Sequence, residues 1–200
     1  MSNSNWAAPQ WLFDQLDSEF KFVLDAAASV ENTKCAIYFT REDDALTKDW
    51  WPFKSIWCNP PYHQDALNAF VSKAHSEGQK PCVVVCLLPA WTDRAWWHKY
   101  CNEGEQRFIK GRLYFTNGDG KEHRAPFGSV IVIFSTWRIL VRRFMEMLGG
   151  KAKLKDLYDA AERRLSGGNN NHINAKIRQT LQRYNDFNRL EAGLWTLTTI

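Results

Sequence analysis

Several things are missing from this chain, and each absence narrows the reading. No run of 18 apolar residues occurs, so no membrane-spanning helix is expected. The opening stretch MSNSNWAAPQ has no basic segment followed by an apolar one, so no secretory signal is expected and the cytoplasm is the expected compartment. The five cysteines, at 35, 58, 82, 86 and 101, form no Cys-x-x-Cys pair. An odd number of thiols in an untargeted chain fits reduced, structural cysteines, and no metal site is expected. No internal repeat is visible, and SGGNNN (166–171) is the one clear flexible link.

Aromatic residues, by contrast, are abundant. Ten Trp occur in 200 residues, including the pairs Trp50-Trp51 and Trp96-Trp97. Most are expected in a core, with a few lining a pocket for a flat heterocycle, because base–aromatic stacking is worth about 1–3 kcal/mol. Charge is uneven. Residues 138–200 carry twelve Lys/Arg against six Asp/Glu, a net of +6, and residues 1–137 carry fourteen against sixteen, a net of −2. A near-neutral body (1–137) followed by a basic extension (138–200) suits a polyanionic partner, although a solvated basic helix would look the same.

Periodicity predicts a short helix over 10–17, then strand character in FKFVLD ending on Asp25, and a second strand in KCAIYFT (34–40). SIWC (55–58) is a short apolar strand that must stop at Asn59-Pro60-Pro61-Tyr62, since proline donates no ladder hydrogen bond. Ala66, Leu67, Phe70, Val71 and Ala74 mark a helix over 64–77, with Gly78 as a stop signal. CVVVCLLP (82–89) reads as a strand buried on both faces, and 91–102 as a helix. RFIKGRLYF (107–115) and SVIVIF (129–134) read as a strand pair joined by a polar link. Strands alternating with helices predict an α/β fold with a mostly parallel sheet and an antiparallel edge hairpin. Beyond 137 the pattern predicts helices only, with stripes at Leu154, Leu157, Tyr158, Ala161, Leu165 and at Ile173, Ile177, Leu181, Tyr184, Phe187.

The most specific chemical signal is Asn59-Pro60-Pro61-Tyr62 directly after a strand. An amino group conjugated to a purine is a poor nucleophile, because its lone pair is delocalised into the ring. Two acceptors aimed at its two protons draw that lone pair back onto nitrogen. The side-chain oxygen of Asn59 and the main-chain carbonyl of Pro60 can serve as that pair. The prolines lock the backbone, Tyr62 offers a flat face to the base, and no general base of shifted pKa is required. The same tetrad would serve planar amides such as glutamine side chains.

A second signal is Phe22-Val23-Leu24-Asp25 followed by small residues. Ligands of open α/β sheets bind beyond the carboxyl ends of the strands, where Asp25 could anchor a cofactor and Ala26 and Ala27 would let it approach the backbone. The usual glycine-rich FxGxG version is absent. Asp43-Asp44 is a third, with Asp44 the choice for an adenine amino group; ordinary surface acids are the competing reading.

Taken in order, the motifs resemble the phage-type DNA N-6-adenine methyltransferase family, phage Dam. The likeness runs from about residue 6 to 134. It comprises Trp6…Pro9…Leu12-Phe13-Asp14, Glu19-Phe20…Leu24-Asp25-Ala26-Ala27-Ala28, Lys34-Cys35…Tyr38-Phe39-Thr40, and Asp44-Ala45-Leu46…Trp50. It continues through Trp57-Cys58-Asn59-Pro60-Pro61-Tyr62, Leu88-Pro89-Ala90, Trp96-Trp97, and Ile109-Lys110-Gly111-Arg112-Leu113…Phe115…Ala125-Pro126…Ser129. The resemblance implies a Rossmann-like methyltransferase fold and S-adenosyl-L-methionine as donor, with Pro9, Asp25, Ala26, Ala27, Asp44 and Asn59 as cofactor-binding positions. It also implies adenine in double-stranded DNA as acceptor, in a bacterial host cytoplasm, on mobile elements that shield their DNA from restriction. The chain departs from the family at Ala8-Pro9, where Thr-Pro is usual.

A base can reach such a tetrad only when swung out of the duplex. Only 33 residues separate Asp25 from Asn59, too few for a recognition domain between them. Recognition is therefore expected from the 116–127 link, from the region beyond Trp137, or from both. Lys110, Arg112, Lys121 and Arg124 are the candidates for phosphate or guanine contacts. A monomer is the expected state. The alternatives are a methyltransferase for protein glutamine or RNA, and a non-catalytic DNA-binding relative.

Overall fold

The computed structural model describes residues 6–117, 120–163 and 170–198. The chain divides into two compact units, Met1–Phe134 and Ser135–Ile200.

The first unit is an open α/β sheet. Helix α1 (Gln10–Phe20) leads to β1 (Leu24–Asp25), β2 (Ile37–Tyr38) and β3 (Ser55–Cys58). Then come α2 (Gln64–Gly78), β4 (Val83–Pro89), α3 (Ala95–Tyr100), β5 (Glu105–Phe108), β6 (Tyr114–Thr116), β7 (Glu122–Arg124) and β8 (Ser129–Ser135). Six strands form one sheet in the order β2-β1-β3-β4-β8-β5. β1 runs parallel to both β2 and β3, β3 is parallel to β4, and β5 pairs antiparallel with β8 at the edge. The mostly parallel α/β fold with an antiparallel edge is as expected.

Alternation along the strands fills both faces of the sheet. Ile56, Cys58, Val84, Cys86, Leu88, Val130 and Val132 face one core, with Leu67, Val71 and Ala74 of α2. Trp57, Val83, Val85, Leu87, Ile131 and Ile133 face the other, with Leu12, Phe13 and Leu16 of α1. A strand buried on both sides needs the unbroken apolar run seen in β4. Five of the ten tryptophans, Trp50, Trp57, Trp96, Trp97 and Trp195, are buried in the two units.

The structure corrects several expectations. β1 and β2 are only two residues long. Lys21 turns left-handed (φ 52°) to end α1, and the Phe22 N–H goes to Asp17, so pairing starts late. The Lys34 N–H is drawn to Asp25, which keeps 34–36 out of the sheet. The expected strand 107–115 is two strands. Gly111, at φ +85°, interrupts the strand between β5 and β6, and β6 pairs with β7 in a separate two-stranded sheet. The helix expected over 91–102 shortens to α3 followed by a tight turn at Cys101–Glu103.

The second unit is not helical throughout. It contains α4 (Trp137–Met147), β9 (Lys151–Lys153), α5 (Leu154–Glu162), α6 (Asn170–Arg183), β10 (Phe187–Glu191) and β11 (Leu194–Leu197). The strands form an antiparallel sheet in the order β10-β11-β9. Its core joins Leu140, Phe144, Leu157, Ile173, Ile177, Leu181, Phe187 and Trp195. The apolar stripe beyond 170 therefore packs inside its own unit. Of the SGGNNN link, 166–169 lie outside the described residues, and Asn170-Asn171 already belong to α6.

Gly78 is the last residue of α2 rather than a left-handed stop. Its importance is close approach: a Cβ there would lie 2.5 Å from the Phe134 Cβ and 2.8 Å from its carbonyl carbon. Gly78→Ala should therefore lower stability by about 1–3 kcal/mol through overpacking. Thermal unfolding checks this, and an unchanged melting temperature would contradict the tight packing of α2 on β8.

Candidate active site

In a parallel sheet every strand delivers its carboxyl end to the same edge. The loops after β1, β2, β3 and β4 gather there, and the chain leaves β1 for β2 on one side and returns to β3 on the other. That is a topological switch point.

β3 ends on Cys58, and Asn59 begins the loop. The Asn59 amide is held at both ends. Its Nδ2 donates to the carbonyl of Trp6 at 3.0 Å, and its Oδ1 accepts from the Tyr62 hydroxyl at 3.0 Å. An asparagine amide can present either end, and the Trp6 carbonyl, which only accepts, decides the matter. The oxygen is left as the acceptor end. Pro60 is buried, and among the described residues no main-chain N–H lies on its carbonyl.

Tyr62 is placed differently from a simple stacking platform. Its hydroxyl also lies 3.1 Å from the Leu87 carbonyl, so one proton faces two acceptors. Its ring packs edge-on against Phe115 and Phe127, with centroids 6.1 and 5.5 Å apart, and Phe127 in turn meets Trp91. Burial pushes the phenol well above its ordinary pKa, so the hydroxyl keeps its proton and acts as a donor. The thiol of Cys58 is likewise pushed up, first by burial and then by Cys86 opposite it on β4, so it stays protonated.

Asp25, at the end of β1, is 2% exposed. Its two oxygens accept main-chain N–H groups of its own loop, from Ala27 at 3.3 Å and from Lys34 at 3.0 Å. Burial raises its pKa to about 6 despite those hydrogen bonds and the nearby Lys34 charge. The carboxylate thus shapes the small-residue turn Ala26-Ala27-Ala28, whose Ala26 is fully buried and whose Ala28 N–H bonds the Phe39 carbonyl.

Asp43 and Asp44 differ in the same way. Asp43 takes the N–H and hydroxyl of Thr40, both at 2.8 Å, which holds its carboxyl below the usual range. Asp44 is exposed, in a left-handed conformation (φ 50°) at the start of the next turn. Pro9 is half-buried immediately before α1. Lys110 and Arg112 flank Gly111 in the turn between β5 and β6, whereas Lys121 and Arg124 belong to the β6–β7 hairpin; all four are exposed.

The profile of the DNA N-6-adenine-methyltransferase (Dam) family matches residues 2–161. The chain belongs to that family. The DNA N-6-adenine-methyltransferase of Escherichia phage T1 is 35% identical over 92 residues, covering 46% of this chain and 38% of that relative. The chain therefore spans well under half of the phage T1 protein's length. The DNA N-6-adenine-methyltransferase of Haemophilus phage HP1 is 28% identical over 145 residues, covering 62% of this chain and 82% of that protein. The putative methyltransferase YfdM of Escherichia coli K12 is 44% identical over 63 residues, 28% of this chain and 69% of its own.

Two interactions in this Dam-family protein escape a reading of motifs, one at the candidate site and one away from it. One is the main chain at Trp6-Ala7. The Trp6 carbonyl holds Asn59, and Ala7 bridges Thr116 through hydrogen bonds of 2.8 and 3.1 Å. A main-chain acceptor leaves no side-chain signature. The other is Glu77, fully buried at the end of α2. It takes the N–H groups of Trp50 and Trp51 on Oε2, and Lys73 and Lys80 on Oε1. Burial would raise its pKa, but the two lysines and the Trp51 N–H outweigh that and hold the carboxyl low. Its pairing with 73 and 80 is visible in the spacing; its reach to the Trp pair is not.

The raised carboxyl of Asp25 has a definite sign in stability. Its folded pKa of about 6 exceeds the unfolded value of 3.8, so its contribution is greatest below pH 4 and is lost as pH rises through 6. The range is worth about 3 kcal/mol. Relative to Asp25→Asn, the wild-type protein should lose melting temperature between pH 5 and pH 7. A difference independent of pH would show that Asp25 titrates normally.

Proposed function

We propose that this protein transfers a methyl group from S-adenosyl-L-methionine to N6 of an adenine turned out of duplex DNA. The observation that carries the reading is the Asn59 amide at the end of β3, held with its oxygen as the acceptor end by the Trp6 carbonyl. The resemblance of the chain to proteins named DNA N-6-adenine-methyltransferase supports adenine over a glutamine amide.

The residues at the strand edge fit the cofactor in character. Ala26, Ala27 and Ala28 present no bulk to a ligand approaching the backbone, Asp44 is an exposed carboxylate, and Asp25 offers negative charge to a cation. When bound, the cofactor supplies an electrophilic methyl on a positively charged sulfur.

This chain's groups do the rest. Asn59 Oδ1 and the Pro60 carbonyl accept the two N6 protons, which concentrates the nitrogen lone pair toward the methyl. Once methylated, N6 would carry positive charge, which hydrogen bonds to these two oxygens would stabilise. Their preorganisation costs nothing at that moment. The surplus N6 proton then passes to solvent. Tyr62 makes the oxygen available without loss, because its hydroxyl can turn from Asn59 to the Leu87 carbonyl at nearly equal distance. The base stacks among the Tyr62, Phe127 and Trp91 rings. Lys110, Arg112, Lys121 and Arg124 meet phosphates or guanine edges. A phage or prophage origin, action in the bacterial cytoplasm, protection from restriction and a monomeric state complete the proposal.

Asn59→Ala should lower methyl transfer by about 10²–10³-fold, the scale for losing one oriented group, with cofactor affinity kept within a few-fold. Transfer of labelled methyl to DNA, RNA and protein offered in parallel checks both mechanism and substrate. Near-full activity of Asn59→Ala, or label entering protein alone, would overturn the reading. In the Tyr62→Phe variant the ring remains but the amide loses one anchor. Turnover should fall with little change in the concentration of DNA needed for half-maximal rate; a change confined to DNA affinity would instead make stacking the main role of Tyr62.

A further inference from the structure

The family match ends at residue 161, so α6 and the strands after it lie beyond it. In the second unit the order is helix, strand, helix, helix, strand, strand, with β9 pairing to β11 and β11 to β10. This is the succession of a winged helix-turn-helix. In that arrangement the third helix offers one face outward and the last two strands form a hairpin wing.

The faces of α6 follow that division. Ile173, Ile177, Thr180 and Leu181 are buried in the unit's core. On the opposite side Ala175, Arg178, Gln179, Gln182 and Arg183 are exposed, and Lys176 is half-exposed. No acidic residue occurs anywhere from Asn170 to Arg183. Among the described residues no carboxylate pairs with Lys176, Arg178 or Arg183, whereas Arg138 and Arg142 are engaged by Asp186 and Glu146.

A face meant for a protein partner would carry an apolar centre; this one carries only Ala175. Arginine and glutamine are instead the side chains that pair bidentately with guanine and adenine edges in the major groove. Cations on the same face answer the phosphates. The wing adds Asn188 and Arg189, both exposed, ahead of the turn at Ala192-Gly193.

We infer that the second unit is a DNA-reading module, with α6 entering the major groove and the β10–β11 hairpin lying along the sugar–phosphate backbone. It rests on duplex DNA being the substrate, and it assigns sequence selection largely to Arg178, Gln179 and Gln182.

The test uses the full chain. Lys176→Ala/Arg178→Ala/Arg183→Ala is compared with wild type by fluorescence anisotropy on a mixed-sequence duplex, from about 50 to about 200 mM salt. The slope of log K against log salt should become shallower by about 0.9 for each phosphate no longer neutralised, up to about 2.7 for three. Cofactor affinity measured without DNA and the melting temperature should not move. In a selection from randomised duplexes, Arg178→Ala/Gln179→Ala should change which words are retained. An unchanged slope with unchanged retained words would overturn the inference. So would a weakening seen only with single-stranded RNA, or a change of mass in solution marking α6 as a contact between copies. Should wild type transfer no methyl yet duplex binding fall in the triple variant, the methyltransferase reading fails and this one stands.

Discussion

The site depends on which end of one amide faces outward. Asn59 can assist an amino group only through its oxygen, and the Trp6 carbonyl is what excludes the flipped alternative. That contact spans 53 residues, so it exists only because three separate pieces converge. The prolines end β3 at Cys58, Trp6-Ala7 lies just ahead of α1, and Ala7 is tied to Thr116 on β6. The hairpin that bears Lys121 and Arg124 is therefore linked through Ala7 and Trp6 to the Asn59 amide. Loosening the hairpin would release Trp6, and with it the orientation of that amide.

Two buried carboxylates show how environment, rather than residue type, sets charge. Glu77 is fully buried, yet two ammonium groups and two N–H donors hold it ionised, and it serves to pin the Trp50-Trp51 turn to α2. Asp25 has two N–H donors but only one nearby cation, and desolvation wins. A buried acid whose charge is under-compensated is stabilised in its ionised form by an arriving cation. The contrast favours the edge at β1 over the end of α2 as the place where ligand charge matters.

Legibility in the sequence followed how locally each feature was caused. β3, β4 and α2 were readable to within a residue, because proline termination, unbroken apolar runs and helical spacing are local signals. The break at Gly111 was not, because Arg112-Leu113 continues an apparently apolar strand and only the backbone angle betrays the turn. In the second unit, Phe187 falls in phase with Ile173, Ile177 and Leu181, so the stripe runs on past the true end of α6 at Arg183. Lys151–Lys153 is short and polar, and becomes a strand only through pairing with β11. Of the site, the tetrad was visible. The commitment of Asp25 to its own loop was not, since nothing in Leu24-Asp25-Ala26 says where main-chain N–H groups will turn.

The charge distribution bears on how a duplex would be held. An enzyme acting on a base must grip a polyanion while the base leaves the stack, and that grip is supplied by cations whose counterparts are phosphates. Residues 1–137 have a net charge of −2, so their exposed Lys110, Arg112, Lys121 and Arg124 can orient a duplex near the site but supply little long-range attraction. The net of +6 over residues 138–200 is the positive charge the proposal draws on for that attraction. Within it the acids are not spread evenly: α6 has none, while Asp186 and Glu146 neutralise Arg138 and Arg142 elsewhere in the unit. The apolar residues of α6 that are described, Ile173, Ile177 and Leu181, lie in the unit's own core, which leaves the charged face of the helix outside it. The chemistry of that face, guanidinium and amide without carboxylate, is what the proposal of a nucleic-acid partner rests on.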